Sequence, residues 1–135
     1  NSSMPVQDIE EFRAEGCAVF NGPDEQLLSG LVAGAIGGIG GTYGAMPELY
    51  IKIFNLVKEN KIAEARKIQD ECLQIIINLC GCKGNMYAVI KAVLRKMGAP
   101  DCGGVRSPLF NLVPEDEAQV DKCVEMIKSA YAKYL

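Results

Sequence analysis

The sequence contains no histidine and no tryptophan, and the absence of histidine excludes several kinds of catalytic site. Histidine is the commonest metal ligand and the side chain best suited to proton transfer near neutral pH. Sites of the Ser-His-Asp or Cys-His type therefore cannot form within these 135 residues. We expect no metal site and no bound cofactor in this chain.

Clusters of basic residues are also lacking. The 14 lysines and arginines are scattered among 17 acidic residues, which gives a net charge of -3. A nucleic-acid partner requires a stripe of basic side chains that neutralises phosphates. We therefore expect no nucleic-acid partner. The hydrophobic and charged fractions, 49% and 23%, are ordinary for a soluble globular protein.

Six cysteines are present, and they allow either disulfides or free thiols. No signal peptide is visible, and the positions of Cys17 and Cys72 indicate side chains that face a core. Small buried thiols behave as hydrophobic side chains, so we expect free thiols and a cytoplasmic protein. Cys80 and Cys82 lack CxxC spacing and a second ligand pair. We predict thiols at a helix end there, and their role stays open.

Residues 26–47 carry no charge, so a membrane helix is one interpretation of this segment. Its second half, however, is crowded with glycines, each of which weakens a helix by up to about 1 kcal/mol. A helix, a buried strand and a loop explain the glycines better, and we predict no membrane contact. The same glycines do not spell GxGxxG or a P-loop, so a nucleotide site is disfavoured.

Hydrophobic periodicity predicts two successive βα units followed by helices. The predicted strands cover residues 17–20 and 35–39, and the predicted helices cover residues 5–15, 23–32, 46–58, 62–79, 86–97 and 115 onward. Alternation of strand and helix favours a parallel α/β sheet. Two strands cannot close a sheet, so their edges need partners from outside this sequence.

Two loops follow the carboxyl ends of the predicted strands. Asp24 and Glu25 come after the first strand, and the turn at Gly40 and Gly41 comes after the second. From charge pattern alone, the two acids are explained as helix-start residues, which the helix dipole favours. Their placement makes them binding candidates, because barrels and open α/β sheets bind ligands at this edge.

Residues 21–25 (NGPDE) and 31–43 (LVAGAIGGIGGTY) resemble the seventh and eighth βα units of the N-acetylneuraminate lyase and dihydrodipicolinate synthase family. The similarity continues through residues 46–50, 65–69 and 106–109, so it covers nearly the whole chain. It implies the C-terminal part of a (β/α)8 TIM barrel, in the α/β class but mostly helical as it stands. The implied division is residues 1–58, a helix and the last two βα units, and residues 59–135, a C-terminal helical extension.

The resemblance also implies an activity. In this family a lysine on the sixth strand forms a Schiff base with pyruvate, and a tyrosine on an earlier strand shuttles the proton. The implied reaction is cleavage of N-acetylneuraminate, or a related 2-oxo sugar acid, to pyruvate and N-acetylmannosamine. Matched position by position, the implied substrate-binding residues are Gly22, Asp24, Glu25, Gly40 and Gly41.

The sequence departs from the family pattern in two ways. Gly41 stands where serine is usual, and Gly44 where asparagine is usual, so the exact sugar stays open. The first six strands, with the lysine and the tyrosine, are absent, and Asn1-Ser2-Ser3 resembles the stretch directly after that lysine. A covalently modified lysine before Asn1 and a half-barrel are both compatible with this. The ten lysines present lie on predicted helices or turns, so we expect them to be solvated, and the chain alone to be inactive.

Two alternatives stay open. The dihydrodipicolinate synthase branch shares the Schiff-base chemistry but condenses an aldehyde with pyruvate, and the adjacent Asp24 and Glu25 argue against it. The other is a non-catalytic half-barrel that forms homo-oligomers or pairs with the missing N-terminal half. Open strand edges and exposed apolar helix faces favour such association.

Overall fold

The computed structural model describes residues 6–135. They form two compact units, which divide between Cys72 and Leu73, with Leu135 belonging to the first. Pro5 and Asn1-Ser2-Ser3, on which the sequence-based predictions also drew, lie outside the described residues. The division predicted after residue 58 separates the barrel part from the helical extension, whereas the two observed units are defined by their compactness. The predicted division stays a prediction.

The first unit has the predicted order of helices and strands. Its elements are α1 (Val6–Ala14), β1 (Phe20–Asn21), a 3-10 turn (Asp24–Gln26) that leads into α2 (Leu27–Val32), β2 (Gly37–Gly38), a second 3-10 turn (Thr42–Gly44), α3 (Pro47–Lys58) and the first part of α4 (Ile62–Leu79). Pro47 at the first position of α3 has the φ angle that a helix start requires. Both βα units are therefore present as predicted.

Strands β1 and β2 pair in parallel, with Phe20 opposite Gly37 and Asn21 opposite Gly38. Hydrogen bonds from Ile36 N to Val19 O (2.9 Å) and from Ile39 N to Asn21 O (3.0 Å) extend the ladder at both ends. Within the part of the chain that the structure describes, each strand pairs only with the other. Because the paired residues at the ends of the two parallel strands are opposite each other, both strands end at the same edge of the sheet. The loops that follow them therefore lie side by side.

Both strands are shorter than predicted, and the prediction that Cys17 faces the core is wrong. Cys17 is exposed. Its backbone N–H donates to the carbonyl of Phe12 (3.0 Å), and Gly16 before it has a φ of 81°. These are the features of a helix end capped by a left-handed glycine. Cys17 therefore belongs to the end of α1 and not to β1, whereas Cys72 is buried as predicted.

The core of the first unit lies between α2, α3 and the first part of α4. The buried side chains recur at spacings of three and four residues, as expected for helix faces that pack together. They include Leu27, Leu28 and Leu31 of α2, Leu49, Ile53 and Leu56 of α3, and Ala65, Ile68 and Cys72 of α4. In a smaller cluster, Ile9 of α1 lies with Val19, Ala33 and Ala35, so α1 packs next to the strands. This packing fixes the positions from which the two loops start.

Large apolar side chains are exposed around the strands. Phe12, Val32, Ile36 and Ile39 each expose more than half of their surface. Single exposed hydrophobic residues are common, but these four belong to α1, α2 and the segment containing β2. Exposed apolar side chains therefore surround the strands, with one on α1 and one on α2.

The second unit contains the rest of α4, α5 (Met86–Lys96), a 3-10 turn (Pro114–Asp116) and α6 (Glu117–Tyr134). Asp116 is buried, and its carboxylate accepts hydrogen bonds from the backbone N–H groups of Lys83 (2.8 Å), Gly84 (3.0 Å) and Val113 (3.1 Å). Burial by itself raises the pKa of this carboxyl, but the three donors outweigh it, so its pKa lies below the ordinary value. Within residues 6–135, no helix combines the length and the hydrophobicity needed to cross a membrane.

Candidate functional site

The carboxylate of Asp24 connects the two loops at the ends of the strands. Its Oδ2 atom accepts two hydrogen bonds from Thr42, one from the backbone N–H (2.7 Å) and one from the hydroxyl (2.6 Å). Hydrogen bonds to a charged acceptor are stronger than those between neutral groups. The loop after β1 is therefore held to the loop after β2 by a buried carboxylate.

The other oxygen of Asp24 is free of such bonds. Asp24 is only 7% exposed, and its Oδ1 is buried without a hydrogen-bond partner among the described residues. It faces Gly40: a methyl group on Gly40 would lie 2.9 Å from Oδ2 and closer still to Oδ1. Only glycine leaves room for the carboxylate at this distance. Asp24 thus keeps one oxygen with no hydrogen bond, enclosed beside Gly40.

Tyr50 of α3 continues the network behind Thr42. Its hydroxyl lies 2.7 Å from Thr42 Oγ1, and both side chains are buried. A carboxylate only accepts hydrogen bonds. The single proton of the Thr42 hydroxyl is therefore donated to Asp24, and Tyr50 is the donor to Thr42. Burial raises the pKa of Tyr50, so its phenol keeps the proton that this bond needs.

Gln69 of α4 holds the backbone of the segment from Asp24 to Leu28 through two hydrogen bonds. Its Oε1 accepts from the backbone N–H of Leu28 (3.0 Å), and its Nε2 donates to the carbonyl of Asp24 (3.2 Å). Gln69 is 7% exposed, so both bonds are shielded from water. The turn that carries Asp24 is thus fixed through its backbone as well as through its carboxylate.

Tyr43 lies beside this network. Its ring packs edge-on against the ring of Tyr50, with 4.4 Å between the centroids. Burial raises the pKa of Tyr43 to about 12, and the charges of Asp24 and Glu25 contribute in the same direction. The phenol therefore stays neutral at physiological pH.

The structure brings together two of the five residues predicted to bind substrate. Asp24 and Gly40 are in direct contact. Glu25 is exposed next to Asp24, and Gly22 and Gly41 are half-buried in the same two loops. Whether these five residues bind substrate stays a prediction.

Sequence reasoning missed three residues of the network, namely Thr42, Tyr50 and Gln69. Gln69 carried a signal, since it follows Ile68 on the buried side of α4 and is polar. A buried polar side chain needs hydrogen-bond partners. No comparable signal marks Thr42, because a threonine in a glycine-rich turn is ordinary.

The lysines offer no site for covalent chemistry among the described residues. Eight of them are exposed, and Lys91 and Lys96 are half-buried. Lys91 donates to the carbonyls of Cys102 and Gly104, and Lys96 pairs with acids of the same unit. The hydrogen bonds to those acids raise the pKa of Lys96, whereas a Schiff-base lysine needs a lowered pKa. Within residues 6–135, no group of three cysteine or acidic side chains is arranged to hold a metal ion.

Comparison with known proteins gives consistent matches. Residues 3–127 match the model of the Dihydrodipicolinate synthetase family. The N-acetylneuraminate lyase of Mediterraneibacter gnavus is 53% identical over 138 residues, a match that covers 100% of this chain and 44% of the relative. N-acetylneuraminate lyase 2 of Escherichia coli is 41% identical over 102 residues, which is 76% of this chain and 32% of the relative.

The solved structure of the wild-type Ruminococcus gnavus sialic acid aldolase superposes on this chain with a TM-score of 0.96 and 53% identity. The match covers 100% of this chain and 46% of that structure, so the chain spans less than half the length of these relatives. The matched region is the C-terminal part of the relative. The predicted fold class, the C-terminal part of a (β/α)8 barrel, is thereby confirmed.

Proposed function

Because the chain belongs to the dihydrodipicolinate synthetase family, we propose that it is the C-terminal part of a pyruvate-dependent class I aldolase. The proposed reaction cleaves N-acetylneuraminate, or a related 2-oxo sugar acid, to pyruvate and N-acetylmannosamine through a Schiff base. The 53% identity to an N-acetylneuraminate lyase over the whole chain supports this choice within the family. The Schiff-base lysine comes from the barrel segment that precedes this chain, and the chain alone is inactive.

The observation that carries the proposal is the free oxygen of Asp24. Sugar hydroxyls are hydrogen-bond donors, and a carboxylate oxygen held in place accepts from them. Asp24 Oδ1 is such an oxygen, because Thr42 occupies only Oδ2. Glu25 supplies a second acidic acceptor at the surface of the same loop. Gly40 belongs to the proposed substrate-binding set because only glycine admits the Asp24 carboxylate there. Gly22 and Gly41 complete the set by letting the sugar chain approach the backbone.

The partners of the chain follow from the same proposal. Pyruvate and a sugar acid are the small-molecule partners. Each strand has one edge that pairs with no other strand among the described residues. We propose that these edges and the exposed Ile36 and Ile39 contact the N-terminal part of the barrel or a second copy of the chain. We propose residues 59–135 as a helical extension of the barrel, and a cytoplasmic location for the protein.

A second candidate function is a non-catalytic half-barrel that associates with itself. The exposed apolar side chains around β1 and β2 favour it, since a surface of this kind rarely stays uncovered in solution. Size-exclusion chromatography of the 135-residue chain distinguishes the cases. Elution as a stable monomer contradicts self-association.

The proposed function is tested in a hybrid barrel, in which this chain replaces the matched 46% of the Ruminococcus gnavus sialic acid aldolase. The high structural similarity makes the junction feasible. We expect borohydride to trap one pyruvate on the hybrid, and the hybrid to cleave N-acetylneuraminate. The matched control carries the N-terminal part of the catalytic lysine mutant of that aldolase and should trap none.

The outcomes separate the candidates. A hybrid barrel that traps pyruvate but cleaves no sugar acid contradicts the proposed substrate. Condensation of pyruvate with aspartate semialdehyde, in place of sugar cleavage, supports the dihydrodipicolinate synthase alternative. A soluble, folded hybrid that traps no pyruvate contradicts the proposal as a whole.

A further inference from the structure

The two oxygens of the Asp24 carboxylate have different surroundings. Oδ2 accepts two hydrogen bonds, and Oδ1 accepts none among the described residues although it is buried. A free aspartate rotates about its terminal bond with a broad, two-fold preference. An aspartate side chain without these restraints would present either oxygen, in several directions. In this site Oδ1 alone has acceptor capacity left, and it is held in one direction against Gly40.

Among residues 6–135, Thr42 alone produces this asymmetry. Both donors to Oδ2 belong to it, one from the backbone and one from the side chain. The direction of the side-chain donor is fixed in turn by Tyr50, whose hydroxyl donates to Thr42 Oγ1 at 2.7 Å. The order of donation is therefore Tyr50 to Thr42 to Asp24. None of these contacts uses Oδ1.

We propose that Thr42 is a positioning residue for the sugar-binding carboxylate of Asp24, and that Tyr50 orients Thr42 for this role. The inference rests on the proposed function and names residues outside the predicted substrate-binding set. Thr42 acts through Asp24 and does not itself reach the reacting atoms. Its loss therefore weakens recognition of the sugar chain and leaves the binding of pyruvate, at the far end of the substrate, unchanged.

The test compares variants of the hybrid barrel. Thr42→Val keeps the shape of the side chain and removes the hydroxyl, whereas Thr42→Ser keeps the hydroxyl. We expect Thr42→Val to lower kcat/KM for N-acetylneuraminate by about ten- to a hundredfold, the loss that corresponds to one buried hydrogen bond to a charged group. The change should appear mainly in KM. Thr42→Ser should retain most of the activity, and the rate of pyruvate trapping by borohydride should match in all three proteins.

A stability-matched control separates positioning from structural support. Ile9→Val removes one buried methyl group from the cluster of Ile9, Val19, Ala33 and Ala35, which contains no residue of the network. It should lower the unfolding temperature without changing KM for the sugar acid. If Thr42→Val does not fold, Tyr50→Phe carries the test, because it removes the donor to Thr42 and should also raise KM.

The outcomes distinguish this inference from the proposed function. A parent hybrid that cleaves no sugar acid overturns both. If the parent is active and Thr42→Val has the same KM, the positioning role is overturned and the proposed function stands. Equal losses of pyruvate trapping and of sugar cleavage in Thr42→Val also overturn the positioning role, since they indicate a disrupted structure of the whole site.

Discussion

Replacement of Gly40 by alanine should disrupt the link between the two loops. A methyl group at this position would lie 2.9 Å from Asp24 Oδ2 and closer still to Oδ1. Carbon and oxygen atoms keep about 3.3 Å between them even in favourable contacts, so the carboxylate has to turn away. Both of its hydrogen bonds to Thr42 are then lost. At about 1.5 to 3 kcal/mol for each bond to a charged group, the expected cost is about 3 to 6 kcal/mol.

Gly44 provides the matched control for this variant. It lies four residues away, and a methyl group there would meet nothing within 4 Å. Gly44→Ala should therefore be neutral, or slightly stabilising through the unfolded chain. The measurement is the urea-unfolding midpoint of the hybrid barrel carrying each variant, with KM for N-acetylneuraminate measured in parallel. Equal midpoints and equal KM values for the two alanine variants would refute the placement of the Asp24 carboxylate against Gly40.

Further predictions concern an exposed acid, two supporting residues and a buried thiol. Glu25→Gln should leave the urea-unfolding midpoint unchanged, because the side chain is exposed. It should raise KM for the sugar acid, and an unchanged KM would show that Glu25 does not contribute to substrate binding. Gln69→Leu should destabilise by about 1 to 3 kcal/mol, since it leaves the buried Leu28 N–H and the Asp24 carbonyl without their partner, and a neutral result in urea unfolding contradicts this. Burial raises the pKa of Cys72 from 9.0 to about 12, so the folded state keeps this proton where the unfolded state loses it. The free energy of unfolding that this buried thiol contributes is therefore fully present below pH 9 and is lost as the pH rises toward 12. Cys72→Ala should flatten the fall of the free energy of unfolding between pH 9 and 12. An unaltered slope in this range excludes Cys72 as the cause of the fall. Asp116→Asn should speed hydrogen exchange at the amides of Lys83 and Gly84, and unchanged exchange rates there would contradict the hydrogen bonds from these amides to the Asp116 carboxylate.

The fold was predictable from sequence because its helices are strongly periodic. Every predicted helix is present, since apolar residues at spacings of three and four define one buried face, as in α4. The strands were predictable in order but not in extent. Periodicity did not separate the cap at Gly16 and Cys17 from the strand that follows, because both are short and apolar. The cap depends on a positive φ angle, which composition alone does not reveal.

The side-by-side placement of the two loops could be predicted from the sequence, but the contacts between them could not. The rule that ligands bind at the carboxyl ends of parallel strands located both loops, and the resemblance named Asp24 and Gly40. The link between Asp24 and Thr42 spans 18 residues of sequence, and the link between Asp24 and Gln69 spans 45. Such contacts depend on how α3 and α4 pack beneath the loops. Helix periodicity predicts which side chains are buried, but not which polar partners meet there.

The contact between Asp24 and Gly40 makes the two positions interdependent. A side chain at position 40 is compatible only with a residue at position 24 that is shorter or turned away, so neither position can change freely while the other stays the same. Among homologous sequences, aspartate at the first position should therefore occur together with glycine at the second. In a directed-evolution library, variants at position 40 should survive mainly where position 24 has changed as well. The pair behaves as a single unit of variation, although it is divided between two loops.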